Sequence, residues 1–134
     1  VYAVDFSSSA LSYLRKHNIY SNLNIIEGDF FKLSDKYFNY FDIILEYTFF
    51  CAIDILRRTD YINISKNILK SGGSFVGLIF PINTVNNDGP PFKVDLDSFE
   101  HLFMKDFKLR KKEFNNLSIK PRKNNEIFYH YIKK

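Results

Sequence analysis

Three apolar runs of this sequence end in acidic residues that could bind a polar small molecule. These runs and acids are Val1–Val4 with Asp5, Leu23–Ile26 with Gly28–Asp29, and Phe41–Leu45 with Glu46. Each oxygen of a carboxylate accepts one O–H, so an acid that ends a strand can bind both hydroxyls of a ribose. Ligands of open parallel sheets bind beyond the carboxyl ends of the strands. Asp5 and Asp29 together therefore favour a nucleotide pocket, although a turn or helix cap is the simpler explanation of either one alone.

Aromatic side chains lie next to these acids. Asp29 can accept a hydrogen bond from an adenine amino group while Phe6 or Phe30 packs on the ring. The segment Glu46–Ile53 is aromatic where a solvent-exposed loop would be polar. It is either the wall of a pocket for an apolar or cationic group or the buried start of a helix, and both remain open for Phe50.

Other chemistry has weaker support. Cys51 is the single cysteine, and nothing nearby in the sequence suggests that its thiol is a nucleophile. The three histidines lack metal-ligand spacing, so no metal site is predicted. Arg58 begins a helix where an anion could meet the guanidinium and the helix amides, or it is a surface arginine. The stiff turn Gly89–Phe92 could close Phe92 over a substrate or merely link two elements.

The elements that must position these residues alternate between strand and helix. Ser7–Ser9 provide N-cap chemistry for a helix that ends near His17. Apolar spacing predicts a second helix from Tyr61 to Leu69, stopped by Ser71–Gly73, and a third capped by Asp97 with Glu100 in a capping box. The predicted strands are Val1–Val4, Leu23–Ile26, Phe41–Leu45, Phe75–Phe80, Phe107–Leu117 and Glu126–Ile132, and the loop Asn83–Pro91 is rich in turn residues.

This order predicts an α/β fold with a mainly parallel sheet and an antiparallel C-terminal hairpin. The run Phe41–Leu45 is almost continuously apolar, so it is expected to be buried on both faces, as in parallel sheets.

Composition limits the class of protein. The chain has 134 residues, 46% hydrophobic and 25% charged, which is the balance of a soluble globular protein. No apolar run approaches the roughly 20 residues that cross a bilayer, and no signal peptide opens the chain, so a cytoplasmic location and no membrane partner are expected. The net charge of +4 is spread over scattered lysines and arginines, which favours a solvated surface over nucleic-acid binding.

Several motifs in this order resemble the thiopurine S-methyltransferase family, with particular likeness to its plant and bacterial thiol and halide methyltransferases, the harmless-to-ozone-layer group. The motifs are Val4–Ser7 with Ala10–Leu11, Gly28–Phe31, Tyr47–Ala52, Leu69–Gly73, Phe80–Pro81, Gly89–Phe92 and Pro121–Lys123. The resemblance implies a Rossmann-like class I methyltransferase fold that uses S-adenosylmethionine and acts as a monomer on a small thiol, sulfide or halide.

The resemblance also implies a role for each candidate residue. Asp5 would hold the ribose hydroxyls with Phe6 against the adenine, and Asp29 and Phe30 would frame the adenine edge. In the remainder of the chain, Tyr47 would lie near the sulfonium end, Arg58 would contact and attract the substrate, and Phe50 and Phe92 would line the substrate side. Tyr47 and Arg58 are therefore the residues expected to act in catalysis.

The same resemblance implies that residues 1–134 are a partial domain. The first strand, first helix and glycine-rich cofactor loop of the family would precede Val1, and the missing strand would lie between those that begin at Val1 and Phe41. Open sheet edges would remain on both sides, so the chain alone is expected to be marginally stable, to bind the cofactor poorly and to have little activity.

Two other functions remain possible at this level. Asp5 also suits a nicotinamide-dependent oxidoreductase, in which an acid ends the second strand. The lysines and aromatic residues around Phe128 and Tyr131 give slight support to a non-catalytic domain that binds nucleic acid.

Overall fold

The chain folds into two compact units, Val1–Lys36 and Tyr37–Lys134. The structure, a computed structural model, describes residues 1–19, 21–33, 35–83, 88–114 and 117–134. This division does not test the expectation that residues 1–134 are one partial domain, which stays a prediction.

The first unit contains two parallel strands and one helix. The elements are β1 (Tyr2–Asp5), α1 (Ser8–His17) and β2 (Asn24–Glu27). The Ser7 hydroxyl accepts a hydrogen bond from Ala10 N at 3.3 Å, so the N-cap expected for α1 is present. Leu11 is the buried residue of this helix. The strands are in register from Tyr2 opposite Asn24 to Asp5 opposite Glu27, which brings their carboxyl ends to the same edge.

The second unit is a four-stranded mixed sheet with two helices. Its elements are β3 (Phe41–Tyr47), α2 (Arg58–Ile68), β4 (Leu69–Ile79), α3 (Leu96–Met104), β5 (Phe107–Phe114) and β6 (Ile127–Lys133). The strand order is β3-β4-β6-β5, in which β3 and β4 are parallel and the other two pairs are antiparallel. The predicted α/β class and the antiparallel pairing of the last two strands are confirmed.

Aromatic side chains form the core of the second unit. Phe75 of β4 and Phe99 of α3 each lie 4.9 Å from the ring of Phe103, centroid to centroid. On β6, Tyr131 stacks on Phe103 at 4.2 Å, and Tyr129 lies 5.1 Å from Phe99. All five side chains are buried, so the alternate residues of β4 and β6 face α3 across this core.

The expectation that Phe41–Leu45 is buried on both faces is wrong for β3. Ile43 is 62% exposed and Leu45 is 78% exposed. Among the described strands β3 is hydrogen-bonded to β4 alone, and β1 to β2 alone, so each has one open edge. An apolar run indicates a strand, but its burial depends on neighbours elsewhere in the chain.

Two element boundaries also differ from the predictions. Helix α3 is capped by Asp95 instead of Asp97, because the Asp95 carboxylate accepts from Ser98 N at 2.9 Å. Glu100 accordingly forms no capping box and accepts from the Tyr129 hydroxyl at 2.5 Å. Gly72–Gly73 do not stop a helix, since α2 ends at Ile68 and β4 continues through both glycines.

Some predicted segments extend beyond the described residues. Residues 84–87 of the loop Asn83–Pro91 and residues 115–116 of the predicted strand Phe107–Leu117 lie outside them. None of the helices in the described ranges combines the length and the apolar character needed to cross a membrane.

Candidate functional site

The first unit brings the two predicted cofactor acids to one edge. Asp5 ends β1, and its carbonyl accepts a hydrogen bond from Gly28 N at 2.9 Å, so Asp29 follows directly beyond the paired strand ends. Both acids also stabilise the chain locally. Oδ1 of Asp5 accepts from Ser7 N at 2.8 Å, and Oδ1 of Asp29 accepts from Phe31 N at 2.9 Å. Within the described residues Oδ2 of neither acid has a hydrogen bond, which leaves it available to a ligand.

The aromatic neighbours of these acids differ in exposure. Phe6 follows Asp5 and is 77% exposed, so its ring can stack on a base without displacing protein atoms. Phe30 is partly buried and packs edge-on against Phe31, with ring centroids 5.8 Å apart. Acceptors and aromatic surface, the groups needed to bind an adenosine, are therefore both present in the first unit.

In the second unit, a buried carboxylate organises the turn that follows β3. Glu46 is only 2% exposed. Its Oε1 accepts from Phe50 N at 2.9 Å, and its Oε2 accepts from the Tyr61 hydroxyl of α2 at 2.5 Å. Gly77 lies opposite Glu46 on β4, where a Cβ would come within 2.8 Å of the Glu46 Cβ. Burial raises the pKa of Glu46 above its ordinary value, more than these two hydrogen bonds lower it.

Sequence reasoning missed this structural role of Glu46. The sequence shows only an acid at the end of a strand, as it does at Asp5 and Asp29. A glycine at the paired position of β4 was the available signal, but the register that pairs the two residues is a property of the fold.

The turn held by Glu46 buries Cys51. Thr48 adopts a φ of 68°, and the Cys51 thiol donates to the Thr48 carbonyl at 3.3 Å. Cys51 is 2% exposed, and burial raises the pKa of its thiol. A thiol that is buried and harder to ionise is a poor nucleophile, in agreement with the sequence analysis. Phe50 is buried as well, at 2% exposure.

The structure places Arg58 against Phe50 and Phe92. The Arg58 guanidinium carbon lies 4.7 Å from the centroid of the Phe50 ring. Nη1 donates to the Lys93 carbonyl at 3.1 Å, and Nη2 donates to the Phe92 carbonyl at 3.2 Å. These bonds connect α2 to the chain after the Gly89–Phe92 turn. The role of Arg58 in attracting an anionic substrate stays a prediction, and in this arrangement its terminal nitrogens bind main-chain carbonyls.

The turn after β3 and the segment that contains Phe92 are also linked directly. Phe92 N donates to the Cys51 carbonyl at 2.7 Å, and Val94 N donates to the Pro81 carbonyl at 2.8 Å. Phe50 and Arg58 line a cavity of about 160 Å³ together with Ile55, Thr59, Asp95, Ser98, Phe99 and Leu102. The three predicted substrate residues Phe50, Arg58 and Phe92 therefore form one cluster.

Tyr47 occupies a separate position at the end of β3. It is 50% exposed, and the guanidinium carbon of Arg122 lies 4.8 Å from its ring centroid. Arg122 belongs to the motif Pro121–Lys123, but the sequence predicts no role for it, because only the fold brings Arg122 and Tyr47 together.

The fold is that of a class I methyltransferase. Over 99% of its length the chain superposes on 60% of 1,6-didemethyltoxoflavin-N1-methyltransferase of Burkholderia thailandensis, a structure with bound S-adenosylhomocysteine, with a TM-score of 0.74 at 10% identity. At that identity the likeness concerns the fold, and it agrees with the predicted class.

Sequence comparison identifies the family. The model of the thiopurine S-methyltransferase family matches residues 1–132, and the chain belongs to that family. It is 38% identical to thiocyanate methyltransferase 1 of Arabidopsis thaliana over 87 residues, 64% of this chain and 38% of that protein. It is 33% identical to the same plant's probable thiol methyltransferase 2 over 100 residues, 70% of this chain and 44% of that protein. The chain thus spans about two fifths of the length of these relatives.

Proposed function

We propose that the protein containing this chain transfers a methyl group from S-adenosylmethionine to a small thiol, sulfide or halide. The observation that carries the proposal is the placement of Asp5 and Asp29 at one edge of a parallel strand pair, in a member of a methyltransferase family. Relatives named for thiocyanate and thiol acceptors favour a soft nucleophile.

The residues of the first unit fit the cofactor. Asp5 would accept from the ribose hydroxyls and Asp29 from the adenine amino group, each through the Oδ2 that local hydrogen bonds leave available. Phe6 and Phe30 would pack against the base. When bound, S-adenosylmethionine supplies an electrophilic methyl group on a sulfonium.

The second unit supplies aromatic surface at Tyr47 and Phe50. A thiolate, hydrosulfide or halide is nucleophilic without losing a proton in the transfer step, so alignment and removal of water are the contributions required of the protein. The exposed part of Tyr47 would provide apolar surface, and Phe50 would line the cavity that it shares with Arg58. Glu46 is not placed to act as a base, since both of its oxygens are hydrogen-bonded inside the protein.

We also propose that residues 1–134 by themselves bind the cofactor poorly and have little activity. The open edges of β1 and β3 and the exposed apolar residues Ile43 and Leu45 support this. Isothermal titration calorimetry with S-adenosylhomocysteine, run on residues 1–134 and on the full gene product, tests the proposal. Equal affinities would contradict it.

The assay for the reaction uses the full gene product with S-adenosylmethionine and, separately, thiocyanate, iodide, hydrosulfide and small thiols. Methylated products are measured by headspace gas chromatography. We expect turnover with at least one of these acceptors. If the protein binds S-adenosylhomocysteine but turns over none of these acceptors, the proposed acceptor class is refuted, whereas the fold and the proposed cofactor are unaffected.

The cofactor residues are tested by Asp5→Asn and Asp29→Asn, with Asp97→Asn on the exposed side of α3 as the matched control. Loss of hydrogen bonds to a charged acceptor is expected to weaken S-adenosylhomocysteine binding about 10- to 100-fold for Asp5→Asn. The control is expected to bind as the unsubstituted protein does. Unchanged affinity in both test variants would show that the cofactor site lies elsewhere.

A further inference from the structure

Arg122 lies against two aromatic rings at the end of the parallel strands. Its guanidinium carbon is 4.8 Å from the centroid of Tyr47 and 4.6 Å from that of Phe80. Tyr47 is the last residue of β3, and Phe80 follows the last residue of β4. The guanidinium is therefore located beyond the carboxyl ends of two paired parallel strands, the edge at which ligands bind in sheets of this type.

The segment that carries Arg122 is attached to the end of β4. Asn125 accepts at Oδ1 from Ile82 N at 3.0 Å and from Asn83 N at 2.7 Å. Asn125 N in turn donates to the Arg122 carbonyl at 2.9 Å. These bonds hold the backbone of Arg122 in place over the rings, so the contact with Tyr47 is built into the fold.

Within the part of the chain that the structure describes, ring contact and charge rather than hydrogen bonds hold the Arg122 guanidinium. Glu126 is 3% exposed, and its Oε2 lies 3.9 Å from Nη1 of Arg122, too far for a hydrogen bond. Both atoms are buried and have no hydrogen-bond partner among the described residues. A planar guanidinium stacks on aromatic faces in a way that an ammonium does not.

We propose that Arg122 is a positioning residue that holds the ring of Tyr47 for methyl transfer. The proposal rests on the proposed function, in which Tyr47 provides apolar surface for the acceptor. Tyr47 is 50% exposed at the carboxyl end of β3, so contact with the anchored guanidinium restrains a ring that the described residues do not fully bury. Arg122 acts through Tyr47, and its buried Nη1 is not available to an anionic acceptor.

Two substitutions separate stacking from charge. Arg122→Lys keeps a cation beside Glu126 but lacks the planar group, and Arg122→Met lacks both. If Arg122 positions Tyr47, both variants lower kcat about tenfold with little change in the KM of the acceptor, because misplacement affects the transition state. If Arg122 attracts the anion by its charge, Arg122→Lys keeps full activity and Arg122→Met raises the acceptor KM, which would overturn the proposal. Arg110→Met, at an exposed position of β5, is the matched control.

A second measurement does not depend on activity. Residues 1–134 contain no tryptophan, so Tyr47→Trp in this chain introduces a single indole whose quenching by acrylamide reports its exposure. We expect Arg122→Met in the Tyr47→Trp background to raise the quenching constant about twofold, and Arg110→Met to leave it unchanged. Unaltered quenching would refute the positioning. Lack of methyl transfer by the unsubstituted protein would instead refute the proposed function, and the two failures are distinct.

Far-UV circular dichroism establishes that each variant is folded. If Arg122→Met does not fold, both measurements are made on Arg122→Lys. This variant is expected to fold, because it keeps a positive charge next to the buried Glu126.

Discussion

The buried carboxyl of Glu46 predicts how stability depends on pH. Burial raises the pKa of Glu46 in the folded protein above its ordinary value of 4.5, which it keeps in the unfolded chain. Between these two values the folded state therefore binds more protons than the unfolded state. The stabilising contribution is complete below the unfolded pKa and is lost as the pH rises through the folded pKa. Within this window the free energy of unfolding falls by up to about 1.4 kcal/mol per pH unit.

Glu46→Gln removes this titration at nearly constant side-chain volume. The Gln carbonyl still accepts from Phe50 N, so the turn after β3 keeps its main hydrogen bond. Urea unfolding of the unsubstituted protein and the variant is compared from about pH 4 to about pH 8. We expect the stability of Glu46→Gln relative to the unsubstituted protein to increase with pH across the window.

Glu113→Gln is the matched control, because Glu113 lies on β5 and its side chain is 50% exposed. Its stability relative to the unsubstituted protein is expected to show no comparable trend. A constant difference between Glu46→Gln and the unsubstituted protein over the whole range would refute the reasoning, since it would mean that Glu46 titrates alike in the folded and unfolded states.

Three further substitutions test the packing around Glu46 and in the aromatic core of the second unit. Tyr61→Phe removes the donor to Oε2 of Glu46 and is expected to lower the free energy of unfolding by about 1.5–3 kcal/mol. Its effect in the Glu46→Gln background should be smaller, because the two side chains interact. Strictly additive effects in urea unfolding would contradict this coupling. Gly77→Ala places a Cβ within 2.8 Å of Glu46 and is expected to lower the free energy of unfolding by about 1–3 kcal/mol. Gly28→Ala is the control and should be close to neutral, because the added Cβ would have no atom within 4 Å. Equal effects of the two substitutions would contradict the close approach of Gly77 to Glu46. Phe103→Ala empties the centre of the aromatic core and is expected to cost about 3–5 kcal/mol by the same measurement, and a loss below about 1 kcal/mol would be inconsistent with full burial.

Local chemistry in the sequence determined the start of α1 and the ends of the first two strands. Ser7 caps α1 because its hydroxyl reaches an amide three residues away. Asp5 and Asp29 lie at the same edge because Asp5 ends β1 and Asp29 follows the parallel neighbour β2. The cap of α1 depends on groups three residues apart, whereas the shared edge of Asp5 and Asp29 also requires the pairing of β1 with β2.

Contacts between residues far apart in the chain decided the burial of β3, the cap of α3 and the partners of Glu46 and Arg122. Nothing in the run Phe41–Leu45 shows that Leu45 is exposed, because burial of a strand depends on its neighbours in the sheet. The choice of Asp95 over Asp97 as the cap of α3 depends on where the chain enters the helix, and two acids so close in sequence offer the same chemistry. Glu46 meets Gly77 and Tyr61, and Arg122 meets Tyr47, only after the sheet has set its register. The sequence alone thus determined the strand-end acids, whereas tertiary structure decided which charged side chains are buried, since the desolvation of a charge depends on everything packed around it.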